Sequence, residues 1–154
     1  MKKLVITYSH SGSCRFVAEK MAEAMGADLV EIKPKKELKG VLAYIVGGFQ
    51  AIHKKTPEIL PLGKDPKDYD LIVIGTPVWA SNFAPPIRTF LVNAGLKGKK
   101  IALFCCYGGQ AGKTFDEMKK LLEGNEIVGE IGFKLPLKQK EENEKKAKEF
   151  AKAL

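Results

Sequence analysis

Arginine is almost missing from this chain: Arg15 and Arg88 are its only two, although lysine carries it to a formal net charge of +8 over 154 residues. Nucleic-acid readers depend on arginine for bidentate contacts to phosphates and base edges, so no nucleic-acid partner is expected. Long hydrophobic runs are missing too. Lys, Asp or Gly breaks each apolar stretch before the roughly 18 residues needed to cross a bilayer, and no membrane insertion is expected. Met1-Lys2-Lys3 runs straight into Leu4-Val5-Ile6, which is too short for a secretory core and has no small-residue cleavage site, so a cytoplasmic location is expected. Cysteine is scarce as well. Cys14, Cys105 and Cys106 are odd in number and lack metal-ligand spacing, and an adjacent pair does not easily close an ordinary disulfide. They are read as reduced thiols.

What is present is a regular alternation. With 45% hydrophobic residues, a chain of this length buries about two-thirds of its unfolded surface around one core, and residues 1–154 are expected to form one domain. Leu4 to Tyr8 is a β-rich run, and Phe16, Val17, Met21, Ala24 and Met25 then recur at helical spacing up to Gly26. Leu29 to Ile32 reads as a second strand. From Leu38 to His53 the apolar spacing suits a helix, although Gly47-Gly48 weakens its middle. Leu71 to Ile74 has the uninterrupted apolar character of a strand buried on both faces. Pro85-Pro86 opens a helix that Gly95 stops, and Ile101 to Cys105 forms a further strand. Phe115, Met118, Leu121 and Leu122 mark a helix, Ile127 to Phe133 a last strand, and Glu141 to Leu154 a charged terminal helix. Strands alternating with helices predict an α/β fold, a doubly wound parallel sheet with helices on both faces. Ligands bind such sheets beyond the carboxyl ends of the strands, which directs attention to three loops.

The first, Ser9-His10-Ser11-Gly12-Ser13-Cys14, supplies hydroxyls, a flexible glycine and the free N–H groups of a helix start. Converging donors at the positive end of a helix dipole hold a phosphate without any lysine; the same residues also make an ordinary N-cap and tight turn. The second, Gly75 to Phe83, carries the single tryptophan, Trp79, just after the most apolar strand. An indole there either stacks on a planar ligand or is buried under the following helix. The third, Cys106-Tyr107-Gly108-Gly109-Gln110-Ala111-Gly112, combines an aromatic ring with three glycines that admit a flat ligand close to the backbone, or form a flexible turn.

These loops, in this order and after these strands, resemble those of the flavodoxin family over nearly the whole chain. Ser9 to Cys14 is similar to its phosphate loop, and Gly75-Thr76-Pro77-Val78-Trp79 through Pro85-Pro86 and Thr89-Phe90-Leu91 to the stretch flanking the isoalloxazine. The resemblance implies a five-stranded parallel sheet in the order 2-1-3-4-5 that binds FMN. Ser9, Ser11, Gly12, Ser13 and the backbone of Cys14 would hold the phosphate; Pro77, Val78, Trp79, Ala80, Ser81 and Asn82 would line one side of the ring, and Tyr107, Gly108 and Gly109 the other. Cys14 departs from the usual hydroxyl at its position, and the basic charge departs from the acidic surface of typical flavodoxins.

Other motifs fail on inspection. Gly108 to Thr114 ends like a nucleotide P-loop but misses its spacing by one residue, since position 107 is tyrosine. A G-x-G-x-x-G dinucleotide fingerprint is missing after the first strand, and Tyr8-Ser9-His10 lacks the acidic residues of a phosphoacceptor site. His10 and His53 have no companion ligands or triad partners in the pattern, so no metal and no catalytic residue is assigned. The leading expectation is an electron carrier exchanging electrons with redox partner proteins. The lysines are read either as a solvated Lys/Glu coat or as a surface complementary to acidic partners. The alternative is an FMN-dependent NAD(P)H:quinone or flavin reductase, with NAD(P)H or a quinone as second substrate and the helical segment from Leu38 to His53 shaping its pocket or a dimer contact. A flavin-free interaction module built on the same fold is a third reading.

Overall fold

The computed structural model describes residues 1–37 and 39–154. Its strands are β1 (Lys3–Thr7), β2 (Asp28–Glu31), β3 (Leu71–Trp79), β4 (Asn82–Phe83), β5 (Lys100–Tyr107) and β6 (Glu126–Lys134). Its helices are α1 (Ser13–Met25), α2 (Gly40–Ile52), α3 (Pro85–Ala94), α4 (Thr114–Lys120) and α5 (Lys140–Lys152). Five strands pair in parallel in the order β2-β1-β3-β5-β6, and the two-residue β4 folds back antiparallel onto the end of β3. Leaving β4 aside, this is the expected 2-1-3-4-5 order, with β4 as an addition that the sequence reading lacked.

Strand alternation sorts the core into two layers. Leu4, Ile6, Ile72, Ile74, Ile101 and Leu103 face α3 and α4, where Ile87, Phe90 and Met118 meet them. Val5, Val73, Ala102 and Phe104 point the other way, against Val17 and Met21 of α1 and Ala147 and Ala151 of α5. Gly75 is required on this second face: a Cβ there would overlap the ring of Phe104, its register partner on β5. Gly26 and Gly95, both in left-handed backbone, stop α1 and α3 where the sequence places the stops.

Most boundaries shift by one or two residues, α4 stops before Leu121 and Leu122, and three differences bear on the site. β3 does not end before Pro77; it runs through Pro77 and Val78 to Trp79, because Pro77 still sits in register with Cys106 while β4 pairs beyond it. Tyr107 likewise ends β5 rather than opening a loop. The expected helix from Leu38 to His53 is observed over Gly40–Ile52, and Leu38 lies outside the described residues. No described helix is long and apolar enough to cross a membrane.

Candidate functional site

At the carboxyl end of β1, Gly12 adopts φ +96°, with open space where a Cβ would project. Its N–H donates to the buried Ser9 Oγ at 3.1 Å, and its carbonyl accepts the first turn's closing bond from Phe16 N–H at 3.0 Å. No side chain caps α1, and its first turn contains no acidic residue. The hydroxyls of the exposed Ser11 and the half-buried Ser13 lie 3.3 Å apart beside it. Uncapped first-turn N–H groups, a dipole end and two hydroxyls make a place for an anion. Arg15 does not contribute its charge there, since both ends of its guanidinium fork bind Glu31 at 2.6 and 2.9 Å, which raises its pKa further.

Cys14 follows the loop but turns inward. Its thiol is buried among Val5, Val17 and Phe104, beside Cys106 and Thr7, and burial pushes it well above the ordinary thiol range. Only its backbone is available to a ligand. Cys105, on the opposite face of β5 from Cys106, is pushed up to about 12, chiefly by burial.

The second segment is a tight hairpin. Ala80 and Ser81 form its two-residue turn with φ of +50° and +61°, the left-handed pair that a twisted two-residue hairpin needs. Neither is glycine, so the turn is strained and must be held from outside. Two bonds hold it: Thr76 Oγ1 accepts from Ala84 N–H at 2.9 Å, and Ser81 O accepts from Lys113 N–H at 2.9 Å. Gly112 approaches so closely that a Cβ would fall 2.6 Å from Ser81 O. The second and third loops are therefore joined. Asn82 is buried, with its Oδ1 accepting from Phe83 N–H at 2.8 Å.

Trp79 is half-buried and reaches α2. Its ring meets Tyr8 and His10 edge-on, at centroid distances of 5.7 and 5.8 Å. It also lies over Gly47, where an added Cβ would come within 2.6 Å of Cζ3. Tyr8 itself is buried, and its hydroxyl is pushed up to about 12 by that burial, with Glu37 adding to the shift. Tyr107 turns the other way, onto Gly132 of β6, where a Cβ would be 2.9 Å from Cε1. The two aromatic residues read as facing sides of one slot thus diverge. Gly108 and Gly109 are exposed at the rim.

Trp79 divides two cavities. One of 260 Å³ is lined by His10, Val78, Trp79 and Ala80 from the first two loops and by Gly40, Ala43, Tyr44 and Gly48 from α2. The other, of 690 Å³, lies between α2, Tyr8, Pro34, Lys35, Lys36 and Pro86. The helix expected from Leu38 to His53 does line both cavities, as the reductase reading anticipated; what the sequence reading missed is the part played by Gly47-Gly48, which counted there only against a helix. The available signal was a pair of small residues in a segment otherwise rich in bulky ones. No group of three or more metal-ligating side chains occurs among the described residues.

Comparison with known proteins follows this geometry. A flavodoxin family model matches residues 50–144. A protein of Cupriavidus metallidurans named NAD(P)H dehydrogenase (quinone) is 31% identical over 142 residues, covering 83% of this chain and 70% of that protein. A flavoprotein of Lactobacillus acidophilus NCFM, solved in complex with FMN, superposes with a TM-score of 0.75 at 26% identity, over 90% of this chain and 97% of that one. A flavodoxin from the domain Archaea superposes with a TM-score of 0.61 at 18% identity, over 99% and 98% of the two chains, and is alike in fold.

Proposed function

Because this chain belongs to the flavodoxin family, we propose that it binds one FMN at the carboxyl edge of its sheet and carries electrons between redox partner proteins. The observation that carries the reading is the start of α1. Gly12, in its left-handed conformation, leaves the first-turn N–H groups uncapped beside the exposed Ser11 and the half-buried Ser13, with no carboxylate in that turn to repel a phosphate. Ser9 holds the loop in shape through Gly12 N–H, and Ser11, Ser13 and the backbone of Cys14 would hold the phosphate. Val78 to Ser81 would lie along the ring, in a turn pre-shaped by the Lys113 N–H bond to Ser81 O and by the Ala84 N–H bond to Thr76 Oγ1 at its base.

The flavin, when bound, supplies one- or two-electron chemistry of its own. What the chain adds is binding, orientation and exclusion of water. Residues 9–14, 77–82 and 106–112 contain no carboxylate and no lysine. A site offering amides, hydroxyls and rings, with the exposed His10 imidazole as its one candidate acid or base and no carboxylate in these loops to orient it, suits electron transfer better than substrate-specific proton chemistry.

A second reading, an FMN-dependent NAD(P)H:quinone reductase, is favoured by the name of the Cupriavidus relative and by the cavity of 690 Å³ beyond Trp79, which has room for a second planar molecule beside Lys35 and Lys36. The test is an absorbance spectrum of protein loaded with FMN and freed of excess, then titrated anaerobically with dithionite and, separately, with NADPH. Retained flavin bands, a stable half-reduced stage and slow reduction by NADPH are expected of the carrier. Fast bleaching by NADPH, reversed by a quinone, would replace it with the reductase, and failure to retain flavin would sink both.

A further inference from the structure

Helix α2 is built inside out. The residues it turns toward the protein are small, with Ala43, Gly47 and Ala51 buried. Val41, Leu42, Tyr44, Ile45, Phe49 and Ile52 instead stand 76, 57, 87, 64, 55 and 66% exposed. At the α-helical angle per residue those six share one arc of about 160°, and no charged residue interrupts Gly40 to Ile52. A helix that is apolar all round is ordinarily covered, and a contiguous apolar patch of this kind marks an interaction surface.

Charge collects at the two ends of that patch. From residue 33 to residue 58, six lysines stand against two glutamates, a net of +4 out of the chain's +8. Lys36, Lys39 and Lys55 are exposed, while Lys35 pairs with Glu58 at 3.2 Å and Lys54 with Glu117 at 4.0 Å. We propose that α2 is an interfacial anchor that lies in the headgroup plane of an anionic bilayer. Its 13 residues span about 20 Å, too short to cross the hydrocarbon but long enough to lie along its surface. The aliphatic and aromatic side chains enter the acyl boundary, and lysines at both ends reach the phosphates.

Charge also decides among occupants. Pairing of α2 with a second copy brings lysine clusters together whether the helices run parallel or antiparallel, and such contacts are repulsive. A protein partner would need roughly one hydrogen bond per 100–200 Å² of interface, yet among the six exposed side chains only the Tyr44 hydroxyl can form one. An anionic lipid surface needs neither a register nor such partners. This assignment holds whether or not the protein carries flavin.

The test uses the full FMN-loaded chain in flotation with vesicles of phosphatidylcholine alone and with about 30% phosphatidylglycerol. Binding about tenfold stronger to the anionic vesicles is expected, falling by a similar factor in about 0.5 M salt. The triple variant Leu42→Gln, Ile45→Gln, Phe49→Gln replaces exposed side chains with a good helix former. It should lose about tenfold in binding at unchanged helix content and FMN retention. Replacing Lys36, Lys39, Lys54 and Lys55 with glutamine should do the same, whereas Lys145→Gln with Lys152→Gln on α5 should not. Unchanged binding of the triple variant would reduce the effect to the general lysine charge and overturn the proposal. So would absence of vesicle binding, including the case where light scattering finds a dimer that the triple variant dissociates.

Discussion

Two adjacent glycines in α2 offer a differential test of where Trp79 rests. In a helix interior, Gly→Ala favours folding by about 1 kcal/mol. At Gly48 nothing opposes that gain, since no heavy atom lies within 4 Å of the added Cβ. At Gly47 the same methyl meets Trp79 Cζ3 at 2.6 Å and Cε3 at 2.8 Å. Tyr8 and His10, at 5.7 and 5.8 Å from its centre, oppose its retreat on their side, so relief requires the indole to swing into one of the two flanking cavities and give up those edge-on contacts. Overpacking of this kind costs about 1–3 kcal/mol. Helix propensity is common to both variants and cancels, so Gly48→Ala should exceed Gly47→Ala in stability by about 1–3 kcal/mol. Urea unfolding of the flavin-free proteins measures this, and Trp79, the only tryptophan, supplies a second readout. Its emission should shift in Gly47→Ala and remain unchanged in Gly48→Ala. Equal stabilisation by both, with equal emission, would mean that α2 does not rest on the indole.

Ser13→Asp should act in opposite directions on two properties: a carboxylate in the first turn of α1 stabilises the flavin-free helix by about 0.5 kcal/mol through the dipole, yet repels a phosphate. FMN titration followed by fluorescence quenching should then give at least about tenfold weaker binding. Ala80→Gly relieves one left-handed residue of the hairpin turn and should raise the unfolding free energy by about 0.5–1 kcal/mol, measured in urea. Burial holds the Cys14 and Cys105 thiols protonated at pH 8, and Cys106 is buried beside Cys14. A chromogenic disulfide reagent should therefore titrate no thiol in the native protein and three in denaturant. The Tyr69 hydroxyl, 2.6 Å from Asp28, holds that carboxylate below its usual range. A lowered folded-state pKa stabilises above the unfolded value of about 3.9 and is lost as pH falls through the folded one. The urea midpoint of Tyr69→Phe should thus lie below that of the parent at pH 6 and converge with it in acid.

The parallel α/β alternation was legible because each parallel strand is a short apolar run bounded by glycine, proline or charge, and each crossover contains a helical period; the order of the strands came from the resemblance of the loops to the flavodoxin family. The turn from Ser9 to Ser13 was legible for a similar reason: it is a local motif whose geometry depends on one glycine. The hairpin at Ala80-Ser81 was not, since its turn lacks the Asn-Gly or Asp-Gly that marks such turns and is imposed by Lys113, more than thirty residues away in sequence. The continuation of β3 through Gly75, Thr76 and Pro77 was not legible either, because the apolar run that marks the strand stops at Ile74. A proline argues against a strand interior, but here it lies where β3 passes the edge of its parallel neighbours and turns toward β4. The inward turn of Cys14 and the divergence of Trp79 from Tyr107 depend on tertiary neighbours, Cys106, Gly47 and Gly132, that no local pattern announces.

The unequal fastening of the walls around the candidate cavities has a kinetic consequence. One wall, from Val78 to Lys113, is tied across two loops by the hydrogen bond from Lys113 N–H to Ser81 O and by the close approach of Gly112 to Ser81. The other is α2, anchored by the small buried side chains of Ala43, Gly47 and Ala51. Detaching it exposes little apolar surface, so it can open sub-globally at a fraction of the global unfolding free energy. The dwell time of a molecule enclosed between these walls is then set by the breathing of one helix, and can be tuned by the volume of three inward-facing residues without touching a single ligand contact.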